Sequence, residues 1–312
     1  MSRVAKLAEK INQEGGDLRF DEIMAAHTTF KVGGPADCWL RPASGSFAAC
    51  AARLFTEAAR ERIPVFVLGG GANVVVSDRG IRGIVLDTGS CRGESTPPQA
   101  GGACGETLSF GAGTAVDEAV EAAAAKGLDF SFFAGMPGTI GGGIWMNARA
   151  YDHSFSDFLS TVTLLSRNGE FRTYRRTDDF GYKRSPFQST DDLILGGTFA
   201  LPRRATEDIR LQMARFRADR EAKGQYRFPS AGSAFKNNRA FGKPAGKIID
   251  ELGLRGFRIG GAEIAPWHGN IIINRENARA EDIKTLCDEV RGRVKRETGF
   301  TLECEILFAG EW

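Results

Sequence analysis

The sequence predicts a mixed helix-and-strand protein of two or three domains. Its 312 residues exceed what one compact core usually holds. Short apolar runs bounded by glycine and turn residues alternate with longer stretches of helical spacing. With 42% hydrophobic and 26% charged residues, the chain can fill an ordinary core. The balance of 41 Lys and Arg against 39 Asp and Glu, a net +2, carries no nucleic-acid footprint. No apolar run reaches the ~18–20 residues that span a bilayer, and the opening segment lacks a signal-type apolar stretch. A cytoplasmic location is expected.

Val4, Leu7 and Ile11 share one helical face and predict an opening amphipathic helix. Phe47, Cys50, Leu54, Phe55 and Ala58 form a second stripe over 46–62. PVFVL, NVVVSD and GIVLD read as three strands separated by GGGA and RGIRG. Residues 115–128 are helical by composition, with Gly127 as the stop, and a second glycine-rich block fills 134–147. In TVTLLSRNGEFRTYRR, Asn168 and Gly169 lie between alternating segments and predict a hairpin, followed by a strand in LILGGTFAL. A polar helix over 205–224 leads to the C-terminal region. That region holds a helix in AGKIIDELG, a strand in NIIIN, a helix in AEDIKTLCDEVRGRVKRETG and a last strand in TLECEILFAG. The three regions are placed at 1–88, 89–204 and 205–312.

Cys38, Cys50, Cys91, Cys104, Cys287 and Cys304 form no CxxC pair, and His27, His153 and His268 lie far apart. Neither a disulfide framework nor a zinc signature is present, and no metal is expected. Glycine, at 39 residues, is well above the ~7% average and clustered. PVFVLGGGANVVVSD is no dinucleotide fingerprint, because Val74, Val75 and Val76 return the loop to a strand rather than open a helix. It reads either as a tight hairpin or as a nest of N–H groups aimed at one anion, which suits a pyrophosphate. AGMPGTIGGGIWMNARAY sets Gly141, Gly142 and Gly143 beside Ile144, Trp145 and Met146. That arrangement fits backbone pressed against a flat ligand, or a close strand crossing.

Taken together, HTTFKVGGPAD, PVFVLGGGANVVVSD, AGMPGTIGGGIWMNARAY, YKRSPF, PSAGSAFKN, AGKIIDELGLRG, IGGAEIAPWHGNIIIN and LECEI resemble, in order and over nearly the whole chain, the UDP-N-acetylenolpyruvoylglucosamine reductase family of bacterial peptidoglycan synthesis. The resemblance implies an α+β fold: an FAD-binding fold of the vanillyl-alcohol-oxidase/PCMH type in two subdomains, plus a C-terminal α+β substrate-binding domain. It implies non-covalent FAD, NADPH as co-substrate and UDP-N-acetylglucosamine enolpyruvate as substrate; a monomer is expected, though the sequence itself does not fix oligomeric state. By motif position Gly69, Gly70, Gly71, Ala72 and Asn73 would lie along the FAD pyrophosphate with Ser77 and Asp78 nearby. Gly135, Pro137, Gly138, Thr139, Gly141 and Gly142 would line the flavin and pyrophosphate. The same residues are compatible with a flavin oxidase of the same fold, or with a non-catalytic flavin module in which Ser233 and Glu305 are structural.

The chemistry of an enolpyruvyl ether agrees with the resemblance. Hydride arriving at C3 leaves charge delocalised from C2 into the carboxylate, so a group must hold that charge and an acid must protonate C2. The family's serine proton donor maps onto Ser233, which alone would read as a turn hydroxyl. Tyr182, Lys236 and Asn237 map onto substrate contacts, although a lone lysine such as Lys236 equally reads as a solvated charge. The family's C-terminal glutamate maps onto Glu305, chosen by motif position over Glu303, which would share its face in a strand.

Three positions depart from the family pattern. Lys183, followed by Arg184, stands where the family carries a catalytic arginine. On extended chain these two neighbours point to opposite faces, and motif position favours Lys183. Arg149 adds a cation after Met146-Asn147-Ala148, and Asn238 replaces a proline, which is expected to loosen the loop after Ser233.

Overall fold

The computed structural model describes residues 2–13, 15–92 and 106–312; Cys104 lies outside them. Helix α1 (Arg3–Ile11) starts where the Ser2 hydroxyl accepts the Ala5 N–H, and it buries Leu7 and Ile11. After β1 (Asp17–Ile23) and β2 (Pro35–Arg41) comes α2 (Phe47–Glu61), which buries its stripe and ends at Arg62 in the left-handed region. Strands β3 (Val65–Leu68), β4 (Val74–Val76) and β5 (Ile81–Asp87) follow. The first sheet has the order β1-β2-β5-β3, with β3 parallel to β5. Strand β4 takes no place in that sheet, so the Gly-Gly-Gly loop is not a hairpin: its two strands have different partners.

Strand β6 (Glu106–Gly111) and α3 (Val116–Ala124) precede α4 (Ile140–Met146). The second glycine block is therefore a helix start rather than a strand crossing. Short β7 (Arg149–Ala150), β8 (His153–Ser154) and α5 (Phe155–Phe158) lead to β9 (Leu159–Leu165), β10 (Phe171–Arg175) and β11 (Leu193–Leu201). The Asn168-Gly169 hairpin joins β9 to β10, with Gly169 at φ +86°, in a sheet of order β10-β9-β11-β6. Phe130, Phe133, Phe155 and Phe199 pack edge to face or tilted in the core beneath α4.

The polar helix α6 (Thr206–Ala222) leads to β12 (Ser230–Ser233), α7 (Ala245–Glu251), β13 (Arg258–Ile259), β14 (Ala262–Ile264), β15 (Ile271–Asn274), α8 (Ala280–Thr298) and β16 (Leu307–Ala309). A third sheet runs β12-β15-β14-β13, and β16 pairs with β4 in parallel. The expected last strand is thus regular only at its end; Glu303 and Glu305 precede it in irregular chain.

The chain forms two compact units. The first comprises 1–20, 37–70 and 83–218, and the second 21–36, 71–82 and 219–312. The second unit's core sets Phe30, Val32 and Val75 with the apolar faces of α7 and α8. Among the described residues, no helix is long and apolar enough to cross a membrane.

Candidate active site

In the first unit, Thr139 stands immediately before α4, and its three following glycines do different work. Gly141 gives its N–H to Ala112 O, and a Cβ there would lie 2.8 Å from the Ala112 side chain. At Gly143 a Cβ would strike the Phe155 ring. Both are glycine so that α4 can pack closely. Gly142 meets nothing but the Thr139 hydroxyl, 3.7 Å from its would-be Cβ. That hydroxyl is buried without a hydrogen-bond partner. Gly69 approaches it from the other block, its would-be Cβ 2.9 Å away, and Gly70 presses on Gly138 at 2.8 Å. A buried hydroxyl beside bare backbone can donate to an acceptor from outside the chain. Phosphate oxygens of a dinucleotide fit that need.

Gly135 is left-handed (φ +71°) and its N–H donates to Asp117, while Pro137 is exposed. Tyr182 and Lys183 form the tip of a tight turn closed by Gly181 and Arg184, which exchange backbone hydrogen bonds at 2.9 and 3.1 Å. Lys183 adopts φ +54°. The extended geometry expected for Lys183 and Arg184 is therefore wrong: Lys183 lies in a tight turn, where strand alternation does not apply. The turn is moored to the C-terminal end of α4. Asn147 Nδ2 donates to Gly181 O, and Ser185 Oγ and Gln188 Nε2 both donate to Trp145 O. Arg149 pairs with Asp152 at 3.1 Å.

In the second unit, Gly71 (φ +61°) lies so close to His27 O that a Cβ would overlap it at 2.0 Å. Thr29 ties this loop to the serine strand: its N–H donates to Gly71 O and its hydroxyl to Ser230 O at 2.7 Å. Asn73, next to Ala72, donates from Nδ2 to Glu305 O at 3.0 Å. The Ser77 hydroxyl donates to Glu311 O, and Asp78 accepts the first N–H groups of α8, from Ala280 and Glu281. Ser233 ends β12 opposite Ile271 and is partly exposed, with open space beside Gly232. Directly after it, Ala234 O accepts the Glu305 N–H at 2.8 Å, which sets Glu305 beside the serine segment.

Glu305 is 7% exposed, whereas the Glu303 side chain is 72% exposed and pairs with Lys236. The two glutamates flank Cys304, which forms an isolated antiparallel bridge with Phe235, and they differ in exposure rather than in sequence spacing. Asn237 Oδ1 accepts the Ala245 N–H at the start of α7. Asn238 caps the turn at 239–241 by accepting the Ala240 N–H, so a hydrogen bond holds the loop that was expected to be loosened by the absence of proline. Sequence reading missed Thr29, Asn147 and Gln188. Each acts by bonding backbone far away in sequence, which leaves no local pattern.

The mixed helix-and-strand units and an unpartnered hydroxyl in a glycine cradle fit a protein that binds a phosphate-bearing cofactor. Residues 48–175 match a family model described as FAD binding domain, and residues 224–309 match that of the UDP-N-acetylenolpyruvoylglucosamine reductase C-terminal domain. The chain is 39% identical to the Treponema denticola protein named UDP-N-acetylenolpyruvoylglucosamine reductase, over 95% of both chains. It is 40% identical to that of Treponema pallidum, over 92% of both. The crystal structure of UDP-N-acetylenolpyruvylglucosamine reductase (MurB) from Thermus caldophilus superposes with a TM-score of 0.74 at 32% identity, covering 94% of this chain and 98% of that one. The chain belongs to the UDP-N-acetylenolpyruvoylglucosamine reductase family of peptidoglycan precursor synthesis. It is an FAD-dependent enzyme, with an FAD-binding domain in its N-terminal half.

Proposed function

We propose that this enzyme uses NADPH to reduce the enolpyruvyl double bond of UDP-N-acetylglucosamine enolpyruvate, giving UDP-N-acetylmuramate in the cytoplasm as a monomer. The observation that carries the proposal is the Glu305 N–H bonded to the carbonyl of Ala234, the residue after Ser233. A strand-end hydroxyl and a buried carboxylate thereby lie in two segments joined by a backbone hydrogen bond.

FAD, when bound and reduced, supplies hydride to C3 of the substrate. Ser233 gives its hydroxyl proton to C2, and Glu305 assists that transfer. Lys183 neutralises the carboxylate charge that develops as C3 is attacked. Lysine is a compact point charge without arginine's fork, so it holds one carboxylate oxygen rather than clamping two. Tyr182, Lys236 and Asn237 contact the substrate, Lys236 exchanging Glu303 for a substrate oxygen. Thr139, Gly69, Gly70 and Gly142 hold the FAD phosphates with Gly71, Ala72 and Asn73. Gly135, Pro137, Gly138 and Gly141 shape the flavin side, and Ser77 and Asp78 anchor the first loop.

Anaerobic mixing tests the proposal. NADPH should bleach the flavin absorbance of the purified protein, and UDP-N-acetylglucosamine enolpyruvate should restore it with formation of UDP-N-acetylmuramate. Reoxidation by oxygen alone, with the UDP sugar inert, would replace this reading with that of an oxidase.

A further inference from the structure

The segment that follows Ser233 is held on two flanks. On one side the Glu305 N–H meets Ala234 O, and the Lys236 N–H meets Glu303 O. On the other stands Asn270, 3% exposed, just before β15. Its main-chain oxygen accepts the Ala234 N–H at 2.8 Å. Its side chain then does what a continuing strand would do: Oδ1 accepts the Phe235 N–H at 2.9 Å, and Nδ2 donates to Phe235 O at 2.8 Å. The ladder between β12 and β15 is irregular between Ser230 and Ser233 and ends at the serine. Gly232, immediately before it, is left-handed with open space around it. Ser233 itself pairs with Ile271, so the bonds on Ala234 and Phe235 hold the chain directly after the last paired residue.

Asn270 is itself fixed, since its N–H donates to His268 Nδ1 at 3.1 Å. A carboxamide is the group this position requires. Phe235 presents both a donor and an acceptor, buried among apolar side chains, and only a side chain carrying both can satisfy the two together.

We infer that Asn270 is a positioning residue that sets the Ser233 hydroxyl against Glu305 for protonation of the substrate. The inference rests on Ser233 being the proton donor, as proposed above. Asn270 touches no reacting atom and acts through Ala234 and Phe235.

Stopped-flow measurement of the two half-reactions tests it, in Asn270→Ala, Asn270→Asp, Ser233→Ala and the Ser233→Ala/Asn270→Ala double variant. Asn270→Ala should slow flavin reoxidation by UDP-N-acetylglucosamine enolpyruvate by about 10- to 100-fold, the scale of a misplaced reacting group. NADPH reduction and bound FAD should be unchanged. The double variant should be no slower than Ser233→Ala, because positioning has no value once the hydroxyl is gone. Asn270→Asp keeps the acceptor but loses the donor to Phe235 O; it should show the same selectivity, and it decides the matter if Asn270→Ala is recovered without FAD. Equal damage to both half-reactions, a full additive penalty in the double variant, or failure of both single variants to fold would overturn the inference. A selective Ser233→Ala beside unaffected Asn270 variants would overturn it while leaving the proton donor in place. A Ser233→Ala enzyme with normal reoxidation would overturn the proton-donor reading and the positioning role with it.

Discussion

Ser233 and Lys183 are proposed to serve one reaction, yet the chain supports them in opposite ways. The serine ends a strand, and the two residues after it are bonded to Asn270 and to the 303–305 segment. The lysine sits in a two-residue turn at φ +54°, its carbonyl accepting from Gln188 Nε2 at 3.2 Å and the turn's base bonded to Asn147. Proton delivery to one carbon depends on distance at hydrogen-bond scale. Coulombic attraction falls only as the inverse of distance, so a cation works from a range of positions. The proposed roles therefore predict that replacing Lys183 by arginine costs little and that displacing the serine costs much.

The comparison is sharpest at the two glutamates. Glu305→Gln should slow flavin reoxidation by substrate by about 10²–10⁴, the range for losing a general acid or base. Glu303→Gln, altering an exposed partner of Lys236, should stay near wild type. Equal effects would mean that the buried position of Glu305 has no catalytic consequence. Next in size, Lys183→Ala should cost the substrate half-reaction about 2.7–4 kcal/mol of transition-state stabilisation, with Arg184→Ala doing much less. The reverse order in stopped-flow reoxidation would give the active cation to Arg184. Smaller again is a backbone effect. Gly71→Ala must carry a side chain at φ +61° against His27 O, and should lower unfolding stability by at least ~1–3 kcal/mol together with FAD affinity. Unchanged denaturant midpoint and FAD titration would show that the loop relaxes freely.

What could be read from the sequence follows from how local each signal is. The stripe of α2, the Asn168-Gly169 hairpin and the α8 segment carry their own periodicity or turn chemistry, and each was legible without a partner. Helix α4 was not, because Gly141, Gly142 and Gly143 have poor helix propensity; the helix exists through packing on Ala112 and Phe155. The parallel pairing of β16 with β4 joins residues more than 200 positions apart, and the Glu303–Glu305 geometry depends on the same distant contacts. The flavin fold and the candidate residues were reached through ordered resemblance across the chain, since each glycine block alone admitted a bland reading. The Tyr182-Lys183 turn escaped because a non-glycine residue at positive φ has little signature in sequence.

The central claim is that the serine segment delivers a proton and takes no part in flavin reduction. Rapid mixing of Ser233→Ala under anaerobic conditions measures both steps in one enzyme. NADPH should reduce its FAD at the wild-type rate, and UDP-N-acetylglucosamine enolpyruvate should then reoxidise it about 10²–10⁴ times more slowly than wild type. Equal slowing of both steps, or normal reoxidation, would contradict the claim.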